Sequence, residues 1–444
     1  MKRGAVVNFF CYGVTLCVLL GLASATIRRG YDLLTQGTEG RPYPATIYFV
    51  LPLPKKSAAQ NMLPGATGAD FSQVYTSARS LRAGQSAYLL PGGRTTDIFG
   101  RPAGYPPLMN WVYVPITRYT YVDALLFHTA FWAVVLVLVS GWFLSRMGLK
   151  RHWFALSCMM ASLYFLTPIG YTHLERGQFD LVVATATVLA MMCVVLPRNH
   201  FVLATISGLL GALKWTAVSY LGCFAALGFL VSPWRRKFSF ALIPGMMALG
   251  TFSFWQGVME YWPTIQKYEI DAEPNGVTFE WFLPRPAVKI IPVLLTLIVA
   301  GLIWRRGRSA LERRQLLLAV AAPYAIALMC VSICFGTLSY EYHTVAMLGV
   351  TPGFVVWLER APIVRERMRL AAAIGFTIFM PYAYRVFGFG DLYDPQTMTL
   401  LYAALATFML FVCTVIVWRA SPALQGGVDV RTSGRQQNTK LAVS

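Results

Sequence analysis

A chain of 444 residues that is 56% hydrophobic and 13% charged, with a mean hydropathy of +0.54, is too apolar for a soluble globular protein. Several windows of about 18 or more nearly uncharged residues each meet the criterion for a transmembrane helix. The formal charge of +19 would point to nucleic acid in a soluble chain. In a polytopic one it follows from basic residues retained in cytoplasmic loops, and nucleic acid is not among the expected partners. All eight cysteines lie inside apolar stretches and no CxxC occurs, which argues against disulfides and a thiolate metal site. No N-x-S/T sequon is present, in keeping with a bacterial inner (plasma) membrane.

In chain order, Lys2-Arg3 followed by apolar residues from about 5 to 25 predicts a first helix with its N-terminus inside. Ala23-Ser24-Ala25 gives the competing reading of a cleaved signal peptide, although the run is long for one. A polar excursion over 28–120 then forms a long first outer loop. Within it Phe71, Val74, Tyr75, Ala78 and Leu81 share one face of a helix, which predicts an amphipathic helix on the membrane surface beginning near Asp70. Further spans are expected near 121–144, 153–170 and 180–196. Residues 201–231 are too long for one span and short for two, with Lys214 near the centre, and predict two short helices meeting there. A seventh span over 238–257, a second large outer loop over 259–286, and spans near 287–304, 315–335, 344–358, 370–387 and 398–418 complete the reading. The result is an all-α bundle of about twelve transmembrane helices over residues 1–418, followed by a disordered cytoplasmic tail over 419–444. On this arrangement the inner segments hold 22 of the 38 Lys and Arg but only 4 of the 19 Asp and Glu. The acids gather on the outer face, and that is where chemistry is expected.

Asp70 followed three residues later by Gln73 makes a capping box, and near an apolar boundary the same carboxylate suits a general base toward a sugar hydroxyl. Both readings stand. Lys214 is the lone charge between Arg198 and Arg235, so it is either functional or snorkels to the interface. His343, beside Tyr342 at an expected outer helix start, suits a phosphate contact or an interfacial packing role. His173, Glu175, Arg176, Gln178 and Asp180 form a third outer cluster, and Asp70 with Glu175 or Asp180 makes a conceivable glycosidase pair. No zinc spacing, Walker motif or nucleotide-binding glycine loop appears, so neither a cofactor nor a soluble nucleotide donor is expected.

The order Asp70, Tyr75, Ala78, Leu81, Gly84, Tyr88, Phe99, Tyr105-Pro106-Pro107 resembles the first outer loop of glycosyltransferase family 87. This family of the membrane-embedded GT-C class includes mannosyltransferases of mycobacterial phosphatidylinositol mannoside synthesis. Gly177-Gln178, Lys214 after a Gly/Ala/Leu run, and His343 look like that family in the same order, so the resemblance covers about 70–358. Two features depart from it: Asp180 stands where members often carry Asn, and residues 41–65 form a proline-containing insertion. The resemblance implies a GT-C-like bundle that moves one sugar, a hexose such as mannose, from a polyprenyl-phosphate donor to a lipid or glycan acceptor. Transfer would occur on the extracytoplasmic face with inversion. It casts Asp70 as the base and Lys214, His343 and Arg176 as ligands of the donor phosphate. Gln178, Asp180, Glu175, Tyr75 and Tyr105 are then expected to bind substrate. A transporter or flippase of lipid-linked saccharides is the alternative, and a polymerase using a lipid-linked donor a third reading.

Overall fold

The computed structural model describes residues 4–36, 68–90, 93–94, 96–97, 101–196, 200–267, 273–336, 338–339, 341–379 and 395–425. The expected insertion at 41–65, Phe99, and most of the tail lie outside them. So do the side chains of 24–36, of 421–425 and of several other residues within the described helices, Glu175 among them.

The described residues are mostly helical. α1 (Ala5–Gln36) leads to α2 (Ala69–Arg82), a two-residue hairpin of β1 (Leu89–Leu90) and β2 (Gly93–Arg94), and α3 (Pro107–Val112). α4 (Tyr121–Arg146), α5 (Trp153–Phe165), α6 (Pro168–Arg176) and α7 (Asp180–Val195) follow. Next come α8 (His200–Leu213), α9 (Ala217–Val231), α10 (Trp234–Phe252) and α11 (Trp255–Ile265). β3 (Asn275–Gly276) pairs in parallel with β4 (Leu338–Ser339), and between them run α12 (Arg285–Arg306) and α13 (Ala310–Ile333). A 3-10 helix over Glu341–Gly349, then α14 (Thr351–Arg360), α15 (Glu366–Phe379) and α16 (Pro395–Gln425), close the order.

Burial follows hydropathy. α7 is buried from Asp180 through Val194 and α13 along most of its length, as helices apolar all round must be. α4 instead exposes Val122, Leu126, Phe127, Phe131, Val134 and Leu138 along its length. α12 does the same with Ile290, Val293, Leu294 and Leu297. Exposed apolar bands of this length are what a helix facing lipid carries. Among the described residues four helices are long and apolar enough to cross a membrane, or five if the pair α10–α11, bent by 92°, is one span. This is an α-helical, membrane-embedded protein.

Several limits differ from those read in the sequence. α1 runs to Gln36 and α16 to Gln425, because a helix continues into water after its apolar run ends. Helix thus covers 28–36 of the expected first loop and 419–425 of the expected disordered tail. The seventh span breaks at Ser253-Phe254 instead of running to 257. The stretch 344–358 is divided between the 3-10 helix and α14. α2 does not lie with a free polar face at its start, since Ser72 is fully buried beneath the returning loop and donates to Asp97 at 2.8 Å.

The two ends of the bundle differ in chemistry. At one end the N-terminus of α10 meets the C-terminus of α7, where Arg236 donates to the carbonyls of Val194 and Leu196 at 3.2 and 2.9 Å. Asn8 of α1 meets His152 there, and Arg306 of α12 stacks on Trp418 of α16. At the other end lie α2, α6, the start of α7 and the break between α8 and α9.

Candidate functional site

Asp70 sits in the first turn of α2, but it is not the cap. Gly68, at φ 80°, precedes the helix without a side-chain cap, and Gln73 reaches instead to the Pro102 carbonyl at 3.1 Å. The capping box is therefore not formed. The carboxylate turns toward α6, where Arg176 grips it with Nε at 2.6 Å and a second nitrogen at 3.1 Å. Arg101 adds a contact at 3.1 Å, and Gln178 Nε2 donates to Asp70 Oδ2. Burial alone would raise the Asp70 pKa; Arg176 first and Arg101 second outweigh it and hold the group below its ordinary value. Arg101 bridges in turn to Asp97, with two side-chain bonds at 3.0 and 2.8 Å.

Gly177 explains why α6 approaches so closely. It ends α6 at φ 62°, and a Cβ there would lie 2.7 Å from Phe71 Cβ. With no side chain, and with the left-handed conformation glycine tolerates, the chain turns against α2 and points Gln178 inward. Gln178 then connects two halves. Its Oε1 accepts from Tyr105 at 3.2 Å and from Lys214 Nζ at 3.4 Å, while its amide meets Asp70.

The second half is centred on Asp180, the first residue of α7 and 2% exposed. Its Oδ1 accepts from Lys214 Nζ at 2.8 Å and contacts His343 Nδ1 at 3.0 Å. Lys214 occupies the break between α8 and α9, as expected, but it is not isolated: Asp180 neutralises it. His343 belongs to the 3-10 helix and does not open an α-helix. Gly349 lets that element lie on α7, because a Cβ there would fall 2.3 Å from the Ala184 carbonyl oxygen. His173 completes the wall. Its Nε2 accepts from the Asp180 backbone N–H at 3.2 Å, so the proton of the neutral ring is on Nδ1, facing Tyr164 at 3.1 Å. Burial pushes the His173 pKa down to about 3, against the raising effect of Asp180. Asp180 Oδ2 has no hydrogen-bond partner among the described residues.

Asp70, Arg176, Gln178, Tyr105, Asp180, Lys214 and His343 thus form one continuous polar network. Tyr75 is not part of it; its hydroxyl donates to the Tyr119 carbonyl at 2.8 Å. Glu175 lies on α6, with its side chain outside the described residues. Arg101, Asp97 and His128 were not singled out by the sequence. His128 binds the Gln178 carbonyl at 3.2 Å and stacks on Phe71, and a histidine inside the apolar run of α4 was the available signal. Among the described residues no group of three or more His, Cys, Asp or Glu is arranged to hold a metal ion.

Chemically, the network offers an ionised carboxylate beside partly open guanidiniums, joined by an amide to a buried ammonium and imidazole. Comparisons with protein families, with characterised proteins and with solved structures found no match.

Proposed function

We propose that this protein is an integral-membrane glycosyltransferase that moves one sugar from a polyprenyl-phosphate donor to a lipid or glycan acceptor. The observation that carries the reading is the continuous network from Asp70 through Gln178 to Lys214, Asp180 and His343. Transfer from a phosphodiester needs a base for the entering hydroxyl and cations for the departing phosphate, and the network offers both in adjacent halves.

In this mechanism the acceptor oxygen attacks the anomeric carbon as the bond from that carbon to the phosphate oxygen breaks, inverting the centre. Asp70 receives the hydroxyl proton. A carboxylate held by two arginines is a weak base, but glycosyl transfer passes through an oxocarbenium-like state in which bond breaking leads. The proton is then lost late, when the hydroxyl has become acidic, and an ionised Asp70 suffices. Arg176, His343 and Lys214 hold the phosphate. Lys214 has three N–H donors; Asp180 and Gln178 take two and leave one for the phosphate. Gln178 and Tyr105 orient the sugar, and Asp180 keeps Lys214 and His343 in place.

The proposal includes about twelve crossings of a bacterial inner membrane, with the site on the extracytoplasmic face, both termini inside, and the prenyl chain along the apolar grooves between helices. A hexose such as mannose is the expected sugar. Mass spectrometry of lipids and envelope glycans from a deletion strain tests the reading. The expected result is loss of one sugar residue from one acceptor, restored by the intact gene; an unchanged inventory contradicts it. The buried Lys214–Asp180 pair at a helix break keeps a second reading in view, a flippase of lipid-linked saccharides.

A further inference from the structure

The basic end of the bundle contains an open groove of about 780 Å³, lined by Gly148, Leu149, Lys150, Arg151, Glu359, Arg360 and Arg369. Four cations there face one carboxylate. Arg151 pairs with Glu359, and Arg369 turns back to the carbonyls of Leu358, Glu359 and Ala361 at 2.6–2.9 Å, fixing the end of α14. Lys150 and Arg360 are both exposed, and neither pairs with a carboxylate among the described residues. Among the described residues Glu359 is the one carboxylate that lines the groove, and it pairs with Arg151, so the charges of Lys150 and Arg360 face the groove without an ion pair.

The groove also has a definite depth. It lies just past the C-terminus of α4, whose 26 residues span about 39 Å from the candidate site at the opposite end. Trp142, Trp153 and Phe154, close in sequence to the lining residues 148–151, are 38%, 45% and 70% exposed, as aromatic side chains are where hydrocarbon meets headgroups. A groove of this size admits a headgroup, and a guanidinium fork matches a phosphate.

We infer that this groove is a phosphate-binding site for the headgroup of an anionic membrane phospholipid, separate from the candidate sugar-transfer site. Lys150 and Arg360 bind the phosphate, Arg151 and Glu359 form one wall, and Arg369 holds that wall in place. Free inorganic phosphate shares the chemistry but lacks the acyl chains that the aromatic rim would meet.

Native mass spectrometry of the purified full-length protein, titrated with phosphatidylglycerol or phosphatidylcholine in detergent, tests this. The wild type is expected to retain phosphatidylglycerol in preference. Lys150→Gln with Arg360→Gln should weaken that retention by roughly 30-fold, the loss expected when two cations that contact the bound phosphate are removed. Arg305→Gln with Arg308→Gln removes equal charge from another exposed turn and should leave retention unchanged. Equal losses in the two double variants, or none in either, overturn the site. Displacement of the lipid by excess inorganic phosphate overturns the lipid assignment and makes the groove a soluble-phosphate site. Circular dichroism of each variant separates loss of fold from loss of binding.

Discussion

Asp70 and Asp180 are both buried carboxylates bound by cations, yet their surroundings are opposite. Asp70 is gripped by guanidiniums whose side chains are 27% and 30% exposed, so water and solutes reach its partners. Asp180 is enclosed by Lys214, His343 and His173, with side-chain exposures of 6%, 16% and 2%. An open pair can exchange partners during a reaction, whereas an enclosed pair has fixed geometry and is costly to break. This difference is why the proposed mechanism gives reactivity to Asp70 and positioning to Asp180, although both read in the sequence as acids at helix starts.

The largest expected effect concerns Asp70. Asp70→Asn should reduce sugar transfer about 10²–10⁴-fold, the range typical of a lost general base. Stability should fall little by comparison, because solvent screens the two released arginines. A steady-state assay with a thermal unfolding curve checks both. Transfer within a few-fold of the wild type would move the base elsewhere.

Asp180 should show the reverse order. Asp180→Asn strands Lys214, and breaking a buried pair in this way costs about 3–5 kcal/mol. Lys214→Met in that background should recover part of the loss, since no buried charge is left uncompensated. A double-mutant cycle by denaturation in detergent measures this, and additive losses would mean that the two residues are not coupled.

Acid should sharpen the contrast further, with a smaller effect. His173 has its folded pKa depressed to about 3 by burial, whereas the unfolded chain takes a proton near 6.5. Between those values the unfolded state binds more protons, so this contribution is full above about 6.5 and declines as pH falls toward 3. The depressed Asp70 pKa acts in the same direction at lower pH: its contribution is present above the unfolded carboxylate value and is lost as pH falls through the folded one. His173→Gln should flatten the decline between about 6.5 and 3. An unchanged profile would show that His173 titrates elsewhere than proposed.

Much of the site was legible because a charge in an apolar run is conspicuous. Lys214 between Leu213 and Trp215 stands out in that way, and His343 as a polar residue at an expected outer helix start. What pairs with what was not legible. Arg101 meets Asp70 across 31 residues and His343 meets Asp180 across 163, and local patterning carries no information about such contacts. The cap reading of Asp70 failed for the same reason, since tertiary partners outcompeted the local amide bonds. Hydropathy marked the long apolar helices, 121–146, 285–306, 310–333 and 395–420 among them, but not their ends, since α1 and α16 continue into polar sequence. The 3-10 geometry of Glu341–Gly349 depends on how closely Gly349 lies on α7, a packing fact with no local signature.

Reconstitution with a donor radiolabelled in its sugar tests the central claim most directly. Purified protein in liposomes containing the polyprenyl-phosphate hexose and an acceptor extract should move label to the acceptor fraction. One free polyprenyl phosphate should appear for each sugar moved, and both should stop in Asp70→Asn. Label that stays on intact donor while the donor changes leaflet would contradict a glycosyltransferase and establish the flippase.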